Sequence, residues 1–229
     1  MKWSSFKYLM NFFWQNFKIL INASDLTPIW KMRLHPSWPL ARQYRDFILI
    51  QPGLLDGLRK KPNSSKYYSA IVLNQKFPPG SLGDEYQQFL SKYKVGTDFY
   101  PDAIEMKDDL DFFNSHIIAI HDLWHVTMGF ESSLLGEIKL SAFSVAQFRS
   151  PMHAGFVTLA LLAGITKKGE YLSHIMDAIS SGWQLGIKCQ SLMLMDWEKW
   201  LDKPLIEVRR FIGYDNSESI NSSKIFRAD

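Results

Sequence analysis

Two imidazoles and two carboxylates stand close together in this chain. They are His121 and Asp122, then His125, and, after eleven intervening residues, Glu137. On a helix, residues four apart lie one turn above each other, so His121 and His125 point the same way and Asp122, three before His125, flanks the same face. Gly129 permits a chain reversal, and Glu137 then falls early on the next helix. An antiparallel pair would set Glu137 opposite the two rings. Two imidazoles and two carboxylates form a borderline-hard cage suited to Zn²⁺ and compatible with other divalent ions. Ile118, Ile120, Trp124, Leu134, Leu135 and Ile138 surround these residues in sequence, so the polar group is expected to be partly buried. A buried imidazole or carboxylate without a partner costs on the order of several kcal/mol, which a metal would remove.

The same spacing admits other readings. His-x-x-x-His arises often by chance, and the four residues could be ordinary solvent-facing side chains. The pattern is close to the His-Glu-x-x-His zinc-protease motif, but Asp122 stands where the general-base Glu would be and is one methylene shorter. An adjacent His-Asp pair also suits metal-dependent phosphohydrolases. Those need a further His upstream and an Asp well downstream; His116 and Asp177 are available, with His116 only five residues away.

Composition narrows the field. The 229 residues are 46% hydrophobic with a net charge of +3, and no dense Lys/Arg block is present, which argues against nucleic acid as a partner. The one cysteine, Cys189, excludes an intramolecular disulfide and a Cys-based zinc site. Eight Trp and sixteen Phe are many for this length; they could fill a core or line a cavity for something large and apolar.

The elements that would position the cluster read as helices divided by Pro and Gly, without alternating strands. Helices are expected at about 40–49, from a Ser65 cap through Tyr68, Ile71 and Val72, from Ser81 through Leu82, Tyr86, Phe89, Leu90 and Tyr93, and from an Asp102 cap to Gly129. The last of these would turn Leu110, Phe113, Ile117, Ile120 and Trp124 inward. Further helices are expected at about 134–148, 152–165 and 170–200, with a final one between Pro204 and Gly213. One all-α domain is the economical reading, spanning 25–214, with a polar tail over 215–229. The most apolar run, Ala154 to Ile165, is too short to span a bilayer and should be a buried helix or pocket wall.

Residues 1–24 stand apart. Trp3, Phe6, Met10, Phe13, Phe17 and Leu20 recur at helical spacing, with Lys2, Lys7 and Lys18 the only charges. Asn11, Gln15, Asn16 and Lys18 interrupt the run and weaken a signal-peptide reading. Two possibilities remain: an amphipathic helix packed on the core, or one lying in a membrane interface. Elsewhere, Arg149, His153, His174, Trp183 and Lys188 could line a cavity, although His153 and His174 read first as satisfied helix residues. Arg59, Lys60 and Lys61 could meet lipid phosphate but read first as a solvated loop. Met193, Met195 and Trp197 read as core.

Taken together, these segments resemble a known family. His121-Asp122-x-x-His125-x11-Glu137 is similar to the signature of the coenzyme Q biosynthesis protein 4 family. Pro78-Pro79-Gly80-Ser81-Leu82-Gly83-x-x-Tyr86, Leu135-Gly136-Glu137 and Lys203-Pro204-Leu205-x-x-Val208-Arg209 resemble that family's other motifs in the same order. The resemblance covers about residues 35 to 213. It implies a single-domain all-α fold with a divalent metal, expected to be zinc, between two helices on His121, Asp122, His125 and Glu137, and an apolar lipid cavity. It implies work on a polyprenylated hydroxybenzoate precursor of ubiquinone: metal-dependent removal of the C1 carboxyl, with His121 and Asp122 as the catalytic pair, or organisation of the other quinone-biosynthesis enzymes, or both. A non-catalytic prenyl-lipid scaffold is the alternative. The implied location is peripheral, on the cytoplasmic face of a bacterial membrane or the matrix side of the mitochondrial inner membrane, and a homodimer is compatible with it. The motifs single out no substrate-binding residue.

Overall fold

The computed structural model describes residues 3–21, 38–51, 53–60, 66–94, 109–167 and 169–214. The expected caps at Ser65 and Asp102 and the 215–229 tail lie outside them. Ten α-helices form among the described residues: α1 (Trp3–Ile21), α2 (Pro39–Leu49), α3 (Leu54–Arg59), α4 (Tyr67–Leu73), α5 (Leu82–Tyr93), α6 (Asp109–Met128), α7 (Leu134–Phe148), α8 (Pro151–Lys167), α9 (Gly169–Lys188) and α10 (Leu205–Phe211). No strand occurs among the described residues; the nearest thing is one isolated antiparallel bridge between Ser81 and Pro204.

α6 is the axis of the fold. From Ser115 to Met128 every residue but His121 is buried. A helix apolar nearly all round must be enclosed by others, and α3, α4, α5, α7 and α10 surround it. Phe113, Ile117, Ile120 and Trp124 occupy the core as the periodicity predicts, and Leu110 packs at its edge. Trp124 meets Phe143 and Phe148 of α7 edge-to-face.

Two sequence motifs 120 residues apart turn out to be one structural feature. Gly80 accepts the Leu205 amide, while the Leu82 and Gly83 amides donate to the carbonyls of Lys203 and Leu201. This clasp joins the start of α5 to the start of α10. The helix expected to start at Ser81 does so, and Ser81 caps α5 by accepting the Asp84 amide. A Cβ on Gly83 would lie 2.4 Å from the Phe77 ring, so the motif's glycine makes room for the phenylalanine just before the motif.

α7, α8 and α9 run up, down and up, and α9 packs directly on α7. The backbones approach closely at Gly182, where an added Cβ would stand 2.0 Å from the Lys139 carbonyl, and at Gly186 against Phe143. Gln147 ties the far ends together, donating to the carbonyls of Gly186 and Cys189 and accepting the Leu192 amide. This latch explains one departure from the sequence reading. The helix expected to reach residue 200 stops at Lys188, and two 3₁₀ turns (Leu192–Leu194 and Trp197–Trp200) follow. Those turns fold Leu192, Met193 and Trp197 into the core, a burial that a continued straight helix would have lost. The short α3 is a second departure; its six residues carry too little periodicity to be read.

α8 is only half the buried helix expected. Phe156, Leu159 and Ala160 face inward, whereas Leu162 and Ile165 are exposed. α1 lies against α8, with Phe12 and Asn16 seated on Gly155. Its other side turns Phe6, Met10, Trp14, Phe17 and Ile21 to the outside. No described helix is long and apolar enough to cross a membrane.

Filling the close approach at Gly182 should be costly. Gly182→Ala is expected to lose about 1–3 kcal/mol by overpacking. Gly57→Ala, on a helix with open space around it, should gain up to about 1 kcal/mol. Urea unfolding midpoints of the two variants check both signs.

Candidate metal centre

The cluster is assembled by the turn between α6 and α7. Gly129 adopts a positive φ of 66° and ends α6. Ser133 caps α7, its hydroxyl accepting the Gly136 amide. Gly136 sits under the turn so tightly that a Cβ there would be 1.7 Å from the Glu131 carbonyl oxygen. Only glycine therefore fits in Leu135-Gly136-Glu137, and the next residue is delivered to the face of α6.

His121, His125 and Glu137 come together. His125 Nε2 is 3.1 Å from Glu137 Oε1, and His121 Nε2 is 3.3 Å from Glu137 Oε2. The two Nε2 atoms are 3.1 Å apart. Donors bonded tetrahedrally at about 2.0–2.1 Å lie roughly 3.3–3.4 Å from one another. The three side chains thus have the chemistry and spacing of a divalent-metal site. Each offers one ligand atom, and these atoms lie within 4.8 Å of one another.

The surroundings fix His125 more firmly than His121. His125 is buried, stacks on Phe89 of α5 at 5.6 Å between ring centres, and places Nδ1 3.1 Å from the Phe130 carbonyl. A carbonyl only accepts, so Nδ1 carries a proton and Nε2 is the nitrogen turned into the cluster. His121 and Glu137 keep 28% and 26% side-chain exposure. The cluster is closed on the His125 side and open on theirs.

Charge balance follows from these contacts. Burial alone would raise the Glu137 carboxyl, but the imidazoles of His125 and His121 outweigh it and hold the group well below the usual carboxylate range. Burial likewise works to lower His121; its hydrogen bond to Glu137, with the charges of Glu137 and Asp122, prevails and raises it.

Asp122 is buried on α6 but outside the three-residue group. One residue along a helix turns the side chain by about 100°, and the Asp122 charge is felt at buried Tyr86 of α5, whose hydroxyl burial first and Asp122 second push up. His153 also lies outside the group. It is buried with Nδ1 2.6 Å from Ser150 Oγ, and burial, reinforced by the charge of His121, pushes it down to about 3 against an opposing effect of Glu137. His153 is therefore a neutral neighbour of the cluster. His174 is exposed, its ring 2.9 Å from the Glu170 carbonyl, while Trp183, Lys188 and Arg149 lie on the surface. Arg59 pairs with Asp109 and Asp56. His116 and exposed Asp177 do not join the cluster, so the phosphohydrolase ligand set is not assembled.

Sequence reasoning missed the Phe130 carbonyl, Phe89 and Ser150. A backbone acceptor leaves no trace in residue type. Phe89 was legible only as one residue of an apolar helix face.

Comparison with known proteins agrees with this architecture. The family described as coenzyme Q (ubiquinone) biosynthesis protein Coq4 matches residues 7–217. The chain belongs to the Coq4 family. Among curated relatives, the mitochondrial ubiquinone biosynthesis protein COQ4 homolog of Rattus norvegicus is 25% identical over 171 residues, covering 74% of this chain and 63% of the rat protein. The mitochondrial COQ4 of Zygosaccharomyces rouxii is 28% identical over 159 residues, covering 68% of this chain and 47% of its own. The chain thus spans less than two thirds of the length of these relatives. A crystal structure from Nostoc punctiforme, of a protein provisionally assigned to ubiquinone biosynthesis, superposes with a TM-score of 0.63 at 19% identity over 93% of this chain and 99% of that one. It shares the fold of the Coq4 chain described here.

The charge balance gives a pH signature for the metal-free protein. His121 is raised, so its stabilising share is complete below the ordinary imidazole value of 6.5 and is lost as pH rises through the raised value. Glu137 is depressed, so its share is present above the ordinary carboxylate value of 4.5 and is lost as pH falls below it. The pair should therefore stabilise most between 4.5 and 6.5. Thermal melts across pH should show that maximum, and Glu137→Gln should flatten it.

Proposed function

We propose that this Coq4-family chain acts in ubiquinone biosynthesis by removing the C1 carboxyl of a polyprenylated hydroxybenzoate at a zinc-type centre on a membrane surface. The observation that carries the reading is the open three-donor cluster of His121, His125 and Glu137. Structural zinc sites are usually closed by four protein ligands, whereas catalytic ones keep a position free for substrate or water. Here one side of the triangle stays accessible through His121 and Glu137. The family name and the names of the relatives supply the pathway.

A bound divalent ion would act as a Lewis acid on the carboxylate and phenol oxygens and offset developing negative charge. The residues of the chain do the rest. His125, fixed by Phe130 and Phe89, and Glu137, fixed by the Gly136 turn, hold the donor set rigid. His121 completes it at the open edge. As the carbon–carbon bond breaks, carbon dioxide leaves and the electron pair stays on the ring carbon, which must then take up a proton. Asp122, buried next to the cluster and not needed for the triangle, is the group we assign to that proton transfer. His153 stays neutral alongside and adds no competing charge.

A prenylated substrate is confined to the bilayer, and α1 has the surface to meet it. Its outer stripe of Phe6, Met10, Trp14, Phe17 and Ile21 is exposed, with Trp14 at 55% and Ile21 at 70%. Trp14 stacks on Phe17 and lies under the Lys18 ammonium. Aromatic rings with flanking lysine suit the headgroup boundary. The same surface would serve if the chain also gathers other enzymes of the pathway at the membrane.

Two measurements test this reading. Elemental analysis should find stoichiometric zinc in the purified full chain, none in His125→Ala, and unchanged zinc in His174→Ala. The zinc-loaded chain, given a short-chain prenylated hydroxybenzoate labelled with ¹³C at the carboxyl, should release labelled carbon dioxide, and Glu137→Gln should not. Zinc without carbon dioxide release would reduce the centre to a brace in a lipid-binding scaffold. Separately, changing Trp14 and Phe17 together to Ser should weaken binding to anionic vesicles by about one to two orders of magnitude with no shift in melting temperature, because both side chains are exposed. Equal binding by the variant would remove α1 from the membrane contact.

A further inference from the structure

We propose that Arg209 is a positioning residue of the metal centre, setting the tautomer of His125 through the turn that carries the Phe130 carbonyl. The proposal rests on reading His121, His125 and Glu137 as metal ligands, and it concerns a residue on a different helix that touches none of them.

The last four carbonyls of a helix have no intrahelical donor, and in a buried helix such as α6 water is not at hand to replace one. The Arg209 side chain supplies a donor to Thr127 and a second one to Val126, whose carbonyl also accepts the Gly129 amide at 3.2 Å. Its Nε donates to the Thr127 carbonyl at 2.8 Å and its Nη2 to the Val126 carbonyl at 3.1 Å. Two adjacent carbonyls suit the planar fork of a guanidinium, which presents several N–H groups in fixed directions; an ammonium is a single point. A positive charge there also complements the helix dipole.

Gly129 makes the approach possible. A Cβ at that position would stand 3.3 Å from Arg209 Nη2. Arg209 is itself held, its backbone carbonyl accepting the Tyr214 amide at 2.9 Å and its guanidinium lying 5.5 Å from the centre of the Tyr214 ring. The clasp between Gly80–Gly83 and Leu201–Leu205 fixes the start of the helix that bears it.

The turn held in this way is the one that governs His125. The Phe130 amide donates to the His125 carbonyl at 2.9 Å, and the Phe130 carbonyl faces His125 Nδ1 at 3.1 Å. If the turn relaxes, Nδ1 loses its acceptor and the ring is free to carry its proton on Nε2, the nitrogen that must be bare to bind a metal. Arg209 thus acts on the site at second hand, through Val126, Thr127 and Phe130. The family-like segment ending in Val208-Arg209 gains a role beyond packing.

The experiment uses the full chain with ¹⁵N-labelled histidine. In the metal-free wild type at alkaline pH, long-range ¹H–¹⁵N spectra should show His125 as the Nδ1–H tautomer. Arg209→Ala should show a mixture or the Nε2–H form, and its zinc affinity, measured by chelator competition, should fall about ten-fold or more. Arg209→Lys, which keeps charge without the fork and serves if the alanine variant fails to fold, should shift the same way. A merely structural arginine would lower the melting temperature and leave the tautomer alone. A folded variant with the wild-type Nδ1–H tautomer and zinc affinity within about two-fold of wild type overturns the proposal. Should the wild type bind no divalent metal, the metal reading fails, and the tautomer result still decides the role of Arg209.

Discussion

The closeness of Glu137 to the two imidazoles is the contact around which the rest is arranged. α6 is enclosed from Ser115 to Met128, so a polar side-chain atom there is met by protein or, as at Trp124 Nε1 and Thr127 Oγ1, by nothing. His125 is met on one nitrogen by the Phe130 carbonyl and on the other by Glu137. One partner lies in the short reversal that Gly129 starts and Ser133 ends, and the other in the first turn of the helix that follows it. The reversal is held from outside by the arginine of α10, and α10 by the clasp with the start of α5. Motifs that lie far apart in the chain therefore serve one turn.

A second arrangement opposes the usual sorting of side chains. α1 turns Phe12, Gln15 and Asn16 toward the protein and much of its aromatic surface away from it. Exposing one large apolar side chain is unremarkable, but a continuous stripe of five marks a contact surface. The outward Leu162 and Ile165 of α8 add to the apolar exterior. The missing side chain at Gly155, its space taken by the Phe12 ring and the Asn16 amide, is what lets α1 lie so near α8.

Much of the site was legible in the sequence because helical spacing is rigid: a four-residue step on α6 and a glycine-marked reversal were enough to set His121, His125 and Glu137 together. The caps at Ser81 and Ser133 are local chemistry, and the helix start at Ser81 was readable for that reason. What could not be read depends on the third dimension. Asp122 belongs to the motif by sequence, yet only His121, His125 and Glu137 bring ligand atoms together, while the Asp122 charge acts both at His121 and at Tyr86 of α5. The true end of α9 depends on Gln147 from another helix. Arg209 appeared only as part of a motif, since its partners are carbonyls and any residue type supplies those. On α1, the periodicity of the aromatic residues was evident, while the choice of which side faces inward was made by Gly155.

The stretch from His125 to Glu137 behaves as a ruler. Substitutions outside its glycines leave its length untouched, but one residue gained or lost within it would rotate α7 by about 100° relative to α6 and carry Glu137 off the imidazoles. Gly136 under the Glu131 carbonyl leaves no slack to absorb the change. Loops between helices usually tolerate insertions well; this one is a surface turn with the length constraint of a core element. In a set of related chains, then, this interval should vary in residue type and hold its count, with length changes gathered in other connections.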